Sequence, residues 1–311
     1  MANFNPRAQD LAYVRFSAPD LGLMAKFLHD FGMQTSTQQN DAGQSALYGR
    51  GTDPIPFLHE TVVGEAAFLG LGFQMQSRDD LEAVATMAGA SPIEEIPGPG
   101  GGDRVRFTDP QGYEIDAVFG RERAAEMPTH KRREPLNTGD SRARFREPVR
   151  LKRNASHVKR LGHCVIYVAD FRESEAWYKE RFGLICSDEI KDDSKDRVIG
   201  AFMRCNCGDQ PVDHHTLFPV ESDQRGMQHA AFEVTDWDDL MLGHDHLAGK
   251  GYEHRWGIGK HELGSQVFDY WHDPFGNNLE HFTDGDLFDA EQPTETHGTE
   301  ALRTVQWGPG V

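Results

Sequence analysis

The sequence predicts an α+β fold built twice over, with one strand-rich unit following another along the chain. Three observations predict it. Residues 11–20 (LAYVRFSAPD) match residues 161–170 (LGHCVIYVAD). FLGLGFQMQSRDDL, from Phe68, matches GMQHAAFEVTDWDDL around a shared Asp-Asp-Leu. Residues 109–116 (DPQGYEID) match residues 273–280 (DPFGNNLE).

Each element has a local reason. Residues 11–20 and 161–170 read as apolar strands ending in Asp20 and Asp170, carboxylates able to cap the helix that follows. The helices LGLMAKFLHDFGM and FRESEAWYKERFGL are amphipathic and close on Phe-Gly. The Asp-Asp-Leu match sets Gly70 opposite His229, and each Asp-Pro-x-Gly reads as a turn between extended segments. Each unit is therefore strand, helix, several strands, a helix-containing connection and a hairpin. The boundaries expected are 1–125 for a first half without metal ligands, 126–158 for a charged connector, 159–286 for the second half and 287–311 for a polar tail. The residues leave open whether that tail is disordered or straps over a neighbouring surface.

Length and composition narrow the class. A chain of 311 residues with 38% hydrophobic content is globular and has room for two domains, each with its own core. Lys plus Arg total 32 against 50 Asp plus Glu, a net charge of -18, which argues against a nucleic-acid surface. No basic run with an apolar segment marks a signal peptide, and no apolar stretch approaches the roughly 20 residues that span a bilayer. A cytoplasmic protein is expected, with Cys164, Cys186, Cys205 and Cys207 as reduced thiols. Cys205 and Cys207 stand too close together for the usual zinc pair.

The repeat acts as an internal control on the chemistry. At three matched strand positions the second half carries His163, His229 and Glu280, where the first carries Tyr13, Gly70 and Asp116. Two imidazoles and one carboxylate on adjacent strands form a facial triad that suits Fe(II), although the donors do not exclude Mn(II). A lone strand histidine is more often a hydrogen-bonded or surface residue; three donors at equivalent positions outweigh that reading. Alternation turns Asn278 inward with Glu280 and His281 outward, and puts Gln266, Phe268, Tyr270 and His272 on one face. Tyr270 is a candidate acid or hydrogen-bond donor, against the plainer reading of a strand aromatic. His214 and His215 alternate, so at most one faces a common interior. Val165, Tyr167, Phe202 and Phe268 are the expected wall, and the 236–239 acidic run reads as helix capping.

With these residues in place, the chain resembles the type I extradiol dioxygenases of the vicinal oxygen chelate superfamily. The carriers are LGHCVIYV around His163, DHHTLF around His215, MQHAAFEV around His229 and GIGKHELGSQVFDYWHDPFGNNLEHFTDGD. The resemblance implies two tandem domains of paired βαβββ modules, each an open barrel-like sheet. It implies Fe(II) on His163, His229 and Glu280, with His215, His261 and Tyr270 as catalytic residues that also contact substrate beside Phe202 and Phe268. It implies a catecholic substrate and O2, ring opening adjacent to the two hydroxyls, and a homo-oligomer. One departure is visible: some relatives carry Asp three residues after the His matching His261, where this chain has Gly264.

Two other readings compete. A glyoxalase-like isomerase or lyase would use Zn(II), Ni(II) or Mn(II) but would not need His215, His261 and Tyr270 together. A binding protein of the bleomycin-resistance type would be a shorter single module without the triad.

Overall fold

The computed structural model describes residues 5–39, 43–129 and 136–310, so the portions of the expected first half, connector and tail at 1–4, 40–42, 130–135 and 311 lie outside the described residues. The first half runs β1 (Ala8–Ala18), α1 (Leu21–Asp30), β2 (Gln34–Gln39), β3 (Ser45–Arg50) and β4 (His59–Val63). It continues with β5 (Ala67–Met75), α2 (Arg78–Val84), β6 (Glu94–Glu95), β7 (Asp103–Thr108) and β8 (Glu114–Phe119). The second half begins β9 (Val158–Val168), α3 (Phe171–Phe182), β10 (Ile185–Asp192), β11 (Arg197–Arg204), β12 (Val212–Asp213) and β13 (Leu217–Glu221). Then come β14 (Gly226–Val234), α4 (Trp237–Lys250), β15 (His254–His261), β16 (Val267–His272), β17 (Asn278–Thr283) and β18 (Leu287–Phe288). The chain ends through β19 (Glu295–Gly298), a 3-10 turn (Thr299–Leu302) and β20 (Val305–Trp307).

The two large sheets have one topology. The first is ordered β2-β3-β4-β1-β5-β8-β7-β6 and the second, between its outermost strands, β10-β11-β13-β9-β14-β17-β16-β15. Each is two βαβββ modules joined back to back through an antiparallel central pair, β1 with β5 and β9 with β14, flanked by parallel pairs. This is the predicted α+β fold of paired modules in curled, open sheets.

Local chemistry fixes the matching pieces. Asp20 accepts from Leu23 N, Asp170 from Glu173 N and Asp236 from Asp239 N, each satisfying a free amide at a helix start. Gly183 closes α3 in the left-handed region at φ 64°, where glycine carries no Cβ penalty. In the two hairpin turns Asp109 Oδ1 accepts from Gln111 N and Tyr113 N, while Asp273 Oδ1 accepts from Phe275 N and Asn277 N.

Packing departs from one separate core per half. A single apolar cluster runs through both halves, from Val14, Phe27, Phe31 and Phe73 to Phe171, Phe182, Phe232 and Trp271. Smaller clusters are confined to one half each: Tyr13, Tyr48, Phe57 and Val118 in the first, Val165, Ile199, Phe202 and Phe218 in the second. Helices carry the shared cluster across the boundary. Phe182 of α3 stacks on Phe73 at 4.3 Å, and Phe31, just after α1, stacks on His281 at 3.8 Å.

The tail is ordered. β19 pairs with β10 at one edge of the second sheet and β20 with β15 at the other, so residues 295–307 cross from edge to edge. Of the two alternatives the residues left open, the strap is what forms. It covers both exposed strand edges, whose unpaired N–H and C=O groups would otherwise face solvent. A chain ended at Gln292 should exchange the amides of β15 and β10 faster than the full chain does, with β9 and β14 unchanged. Equal protection of β15 in both forms would show that the strap does not hold that edge.

Candidate metal centre

Strand register builds the site. Across the second sheet His163, Ala231, Glu280 and Tyr270 fall opposite one another on four adjacent strands, β9, β14, β17 and β16. His229 lies two residues before Ala231 on the same strand. The first sheet repeats this row as Tyr13, Gly72, Asp116 and Arg106, with Gly70 in the place of His229. The pairing thus reproduces the sequence alignment position for position.

His163 Nε2 and His229 Nε2 lie 3.3 and 3.2 Å from Glu280 Oε2. Glu280 is fully buried, yet neither of its oxygens has a hydrogen-bond donor, and His229 Nε2 is likewise unsatisfied. Three buried donors converging without bonding one another fit a shared cation, because donors bound at about 2.1 Å stand about 3 Å apart. His229 Nδ1 meets Gln228 Oε1, an amide oxygen that accepts the proton there and leaves Nε2 bare.

Three other His, Cys or carboxylate groupings occur among the described residues, and each has a carboxylate that is already hydrogen-bonded. Asp269 accepts from His254 Nε2 at 2.8 Å, Trp271 Nε1 at 2.6 Å and His244 Nδ1 at 3.1 Å. Glu175 accepts from Lys179 and Arg172, and Asp188 from His214 and His297.

The first-half counterpart is closed by a hydrogen bond. Tyr13 Oη donates to Asp116 Oδ2 at 2.7 Å, and the Tyr13 ring fills the space above Gly72, where a Cβ would lie 2.8 Å from it. Burial raises the Asp116 pKa, with Arg15 and Arg104 opposing.

A cavity of about 260 Å³ opens beside the triad. His163, His229, His215, His261 and Tyr270 line it with Val165, Tyr167 and Phe202. His215 stacks near His163, ring centres 4.0 Å apart, and His261 Nε2 lies 3.0 Å from Tyr270 Oη. Burial, reinforced by repulsion from His163, lowers the His215 pKa well below its ordinary value, so the imidazole is neutral. Burial takes His261 down to about 4 against the pull of Glu280. Burial and the Glu280 charge push the Tyr270 phenol well above its usual range, so it keeps its proton.

Phe268 is placed differently from the wall position expected of it. It sits behind His261, stacked at 4.0 Å, and does not line the cavity. His281 does point away from the site, where its Nε2 donates to Phe31 O at 2.7 Å. Trp256, Leu263 and Leu302 are wall residues that sequence reasoning missed. Leu302 comes from the strap; Trp256 lies on β15 beyond a register shift at Gly257 and Gly259 that breaks simple alternation. At Gly264, φ is +78° and a Cβ would lie 2.5 Å from Gln266 Oε1 and 2.9 Å from His214 Nδ1, so a larger side chain would be strained and would have to displace both.

Residues 160–281 match the Glyoxalase/Bleomycin resistance protein/Dioxygenase superfamily. Over 294 residues the chain is 31% identical to "Metapyrocatechase 2" of Cupriavidus necator, covering 94% of this chain and 87% of that protein. The chain belongs to the type I extradiol dioxygenases of the vicinal oxygen chelate superfamily. Among solved structures, this extradiol dioxygenase superposes on the 2,3-dioxygenase LapB of a Pseudomonas species (strain KL28) with a TM-score of 0.76, at 18% identity over 96% of this chain and 99% of that one. The Mn(II)-bound glyoxalase of Novosphingobium aromaticivorans gives 0.78 at 20% identity, covering 98% and 92%. At such identities both likenesses speak for the fold alone. Extradiol dioxygenases depend on a metal ion, and the donors here fit one. Among the described residues, no helix is long and apolar enough to cross a membrane.

His229→Ala should abolish metal retention, measured by elemental analysis after desalting. Tyr13→Phe should keep the metal while lowering stability by about 1–3 kcal/mol, because Asp116 then loses its donor. Metal loss in the Tyr13 variant would overturn the assignment of the site to the second half.

Proposed function

We propose that this extradiol dioxygenase holds Fe(II) on His163, His229 and Glu280 and opens an uncharged, apolar catechol with O2 beside its two hydroxyls. The observation that carries the reading is one cavity that unites the unsatisfied triad with His215, His261 and Tyr270. When bound, the ion acidifies the catechol hydroxyls and brings ring and O2 together. Neutral His215 accepts a hydroxyl proton. Tyr270, paired with His261, donates a hydrogen bond to a substrate oxygen and supplies a proton as the ring opens. Phe202, Trp256 and Leu302 form the apolar wall that excludes water.

In this reading residues 159–286 form the catalytic domain and residues 1–125 a metal-free scaffold, joined by the 126–158 connector. A cytoplasmic homo-oligomer is proposed from family membership alone. The choice of Fe(II) over Mn(II) rests on O2 chemistry, since both accept this donor set. An isomerase reading leaves the clustering of His215, His261 and Tyr270 without a use.

The substrate class follows from the lining. Among the described residues, no Lys or Arg lines the cavity, and Arg255, whose charge reaches His229 and Tyr270, lies outside it. An unpaired carboxylate in such a pocket costs several kcal/mol. After anaerobic reconstitution with Fe(II), an oxygen electrode should record one O2 consumed per alkyl- or aryl-substituted catechol. Catechols bearing a carboxylate should show kcat/KM at least about 100-fold lower. No uptake with any catechol while iron is bound would sink the reading, and equal use of carboxylated catechols would sink the substrate class.

A further inference from the structure

His215 presents one edge of its ring to the cavity and the other to its neighbour. The two Nδ1 atoms of His214 and His215 lie 3.0 Å apart, a contact that requires one to donate and the other to accept. His214 Nε2 is 2.6 Å from Asp188 Oδ2, and the other Asp188 oxygen takes His297 Nε2 at 3.0 Å. All members of the chain from Asp188 to His215 are buried.

An ionised carboxylate accepts only, so His214 Nε2 carries the proton that points at Asp188. His214 therefore turns Nδ1 to His215. With His215 Nδ1–H donating across that contact, His215 Nε2 is the unprotonated nitrogen at the cavity. Asp188 is suited to its part: burial alone would raise its pKa, but His214 and His297 hold it below the usual value.

His214 is fixed by more than this chain. Its backbone N–H donates to Asp286 O at 2.9 Å, and its carbonyl accepts from Ser187 Oγ at 2.5 Å. Gly264 closes over Nδ1. Its ring is therefore held between Asp188 on one edge and His215 on the other.

We propose that His214 and Asp188 are positioning residues for His215, forming a carboxylate–imidazole–imidazole chain that fixes its tautomer and aims an unprotonated Nε2 at the substrate. The proposal rests on the reading of His215 as the proton acceptor. His297 adds that the strap is docked on the same carboxylate, so Asp188 serves the tail and the site at once.

The test begins on the metal-free protein, without turnover. In 15N-histidine NMR, wild type should show His215 as the Nδ1–H tautomer, and His214→Phe should shift it toward Nε2–H. With iron loaded, His214→Phe should lower kcat by roughly 10- to 100-fold while KM and iron content stay near wild type. His214→Asn, whose side-chain oxygen can accept in place of Nδ1, should restore most of kcat. Should the Phe variant fail to fold, Asp188→Ala carries the same comparison from the far end of the chain. An unchanged His215 tautomer and unchanged kcat in these variants would overturn the proposal. So would His214→Asn no better than His214→Phe. Wild type that shows the expected tautomer but cleaves no catechol would instead overturn the functional reading, with the chain itself intact.

Discussion

Glu280 is a carboxylate with no exposed surface and no hydrogen-bond donor on either oxygen. Leaving such a group unpaired costs several kcal/mol, so a fold that keeps it must compensate it. Everything around it in the second half follows from this constraint. The neighbouring strands bring two imidazoles within 3.3 Å of it, a set of donors that fits a shared cation. The first half meets the same constraint by another route. Asp116 occupies the equivalent place, and Tyr13, at the position of His163, satisfies it with a phenol and fills the space with its ring. One register thus supports two solutions, and the identity of three side chains selects between them.

The first half is not a passenger. Phe31, at the end of α1, receives the His281 Nε2–H on its carbonyl and stacks on the same ring. His281 follows Glu280 directly, so its fixed orientation holds β17 in the rotation that turns Glu280 inward. Tyr113 reaches across in the same way: its hydroxyl accepts from Gly226 N at 2.7 Å and lies 3.1 Å from the carbonyl oxygens of Tyr167 and Gly226. The apolar cluster shared by both halves makes these contacts part of one packed unit.

The repeat made the core of this architecture legible in advance. Matching two motifs fixed which strands are equivalent, and strand parity then placed Glu280, Asn278 and Tyr270 inside and His281 outside. What parity could not give are features set by backbone irregularity and by strand edges. The shift at Gly257 and Gly259 lets Trp256 and His261, five residues apart on β15, line one cavity, where strict alternation would place them on opposite faces. Phe268 has the right parity but is covered by His261 and Trp256, a matter of which ring lies nearer the cavity. The strap was illegible because edge pairing uses backbone N–H and C=O groups, which any sequence supplies. ETHG and VQW carry no alternation to announce a strand.

The strap also contributes directly to the cavity wall. Without the tail strands, β10 and β15 would be the two edges of the second sheet. Residues 295–307 bridge them, putting Leu302 into the wall and Gln306 Nε2 on the His261 carbonyl at 3.0 Å. Trp256 Nε1 donates to Pro309 O at 2.6 Å, so the wall aromatic is tethered to the tail as well. His297 takes the remaining oxygen of Asp188. The tail therefore touches the cavity at its wall, at the strand that carries His261 and at the carboxylate behind His214. A change that loosens it must reach substrate packing and proton handling together, because the same 13 residues brace both.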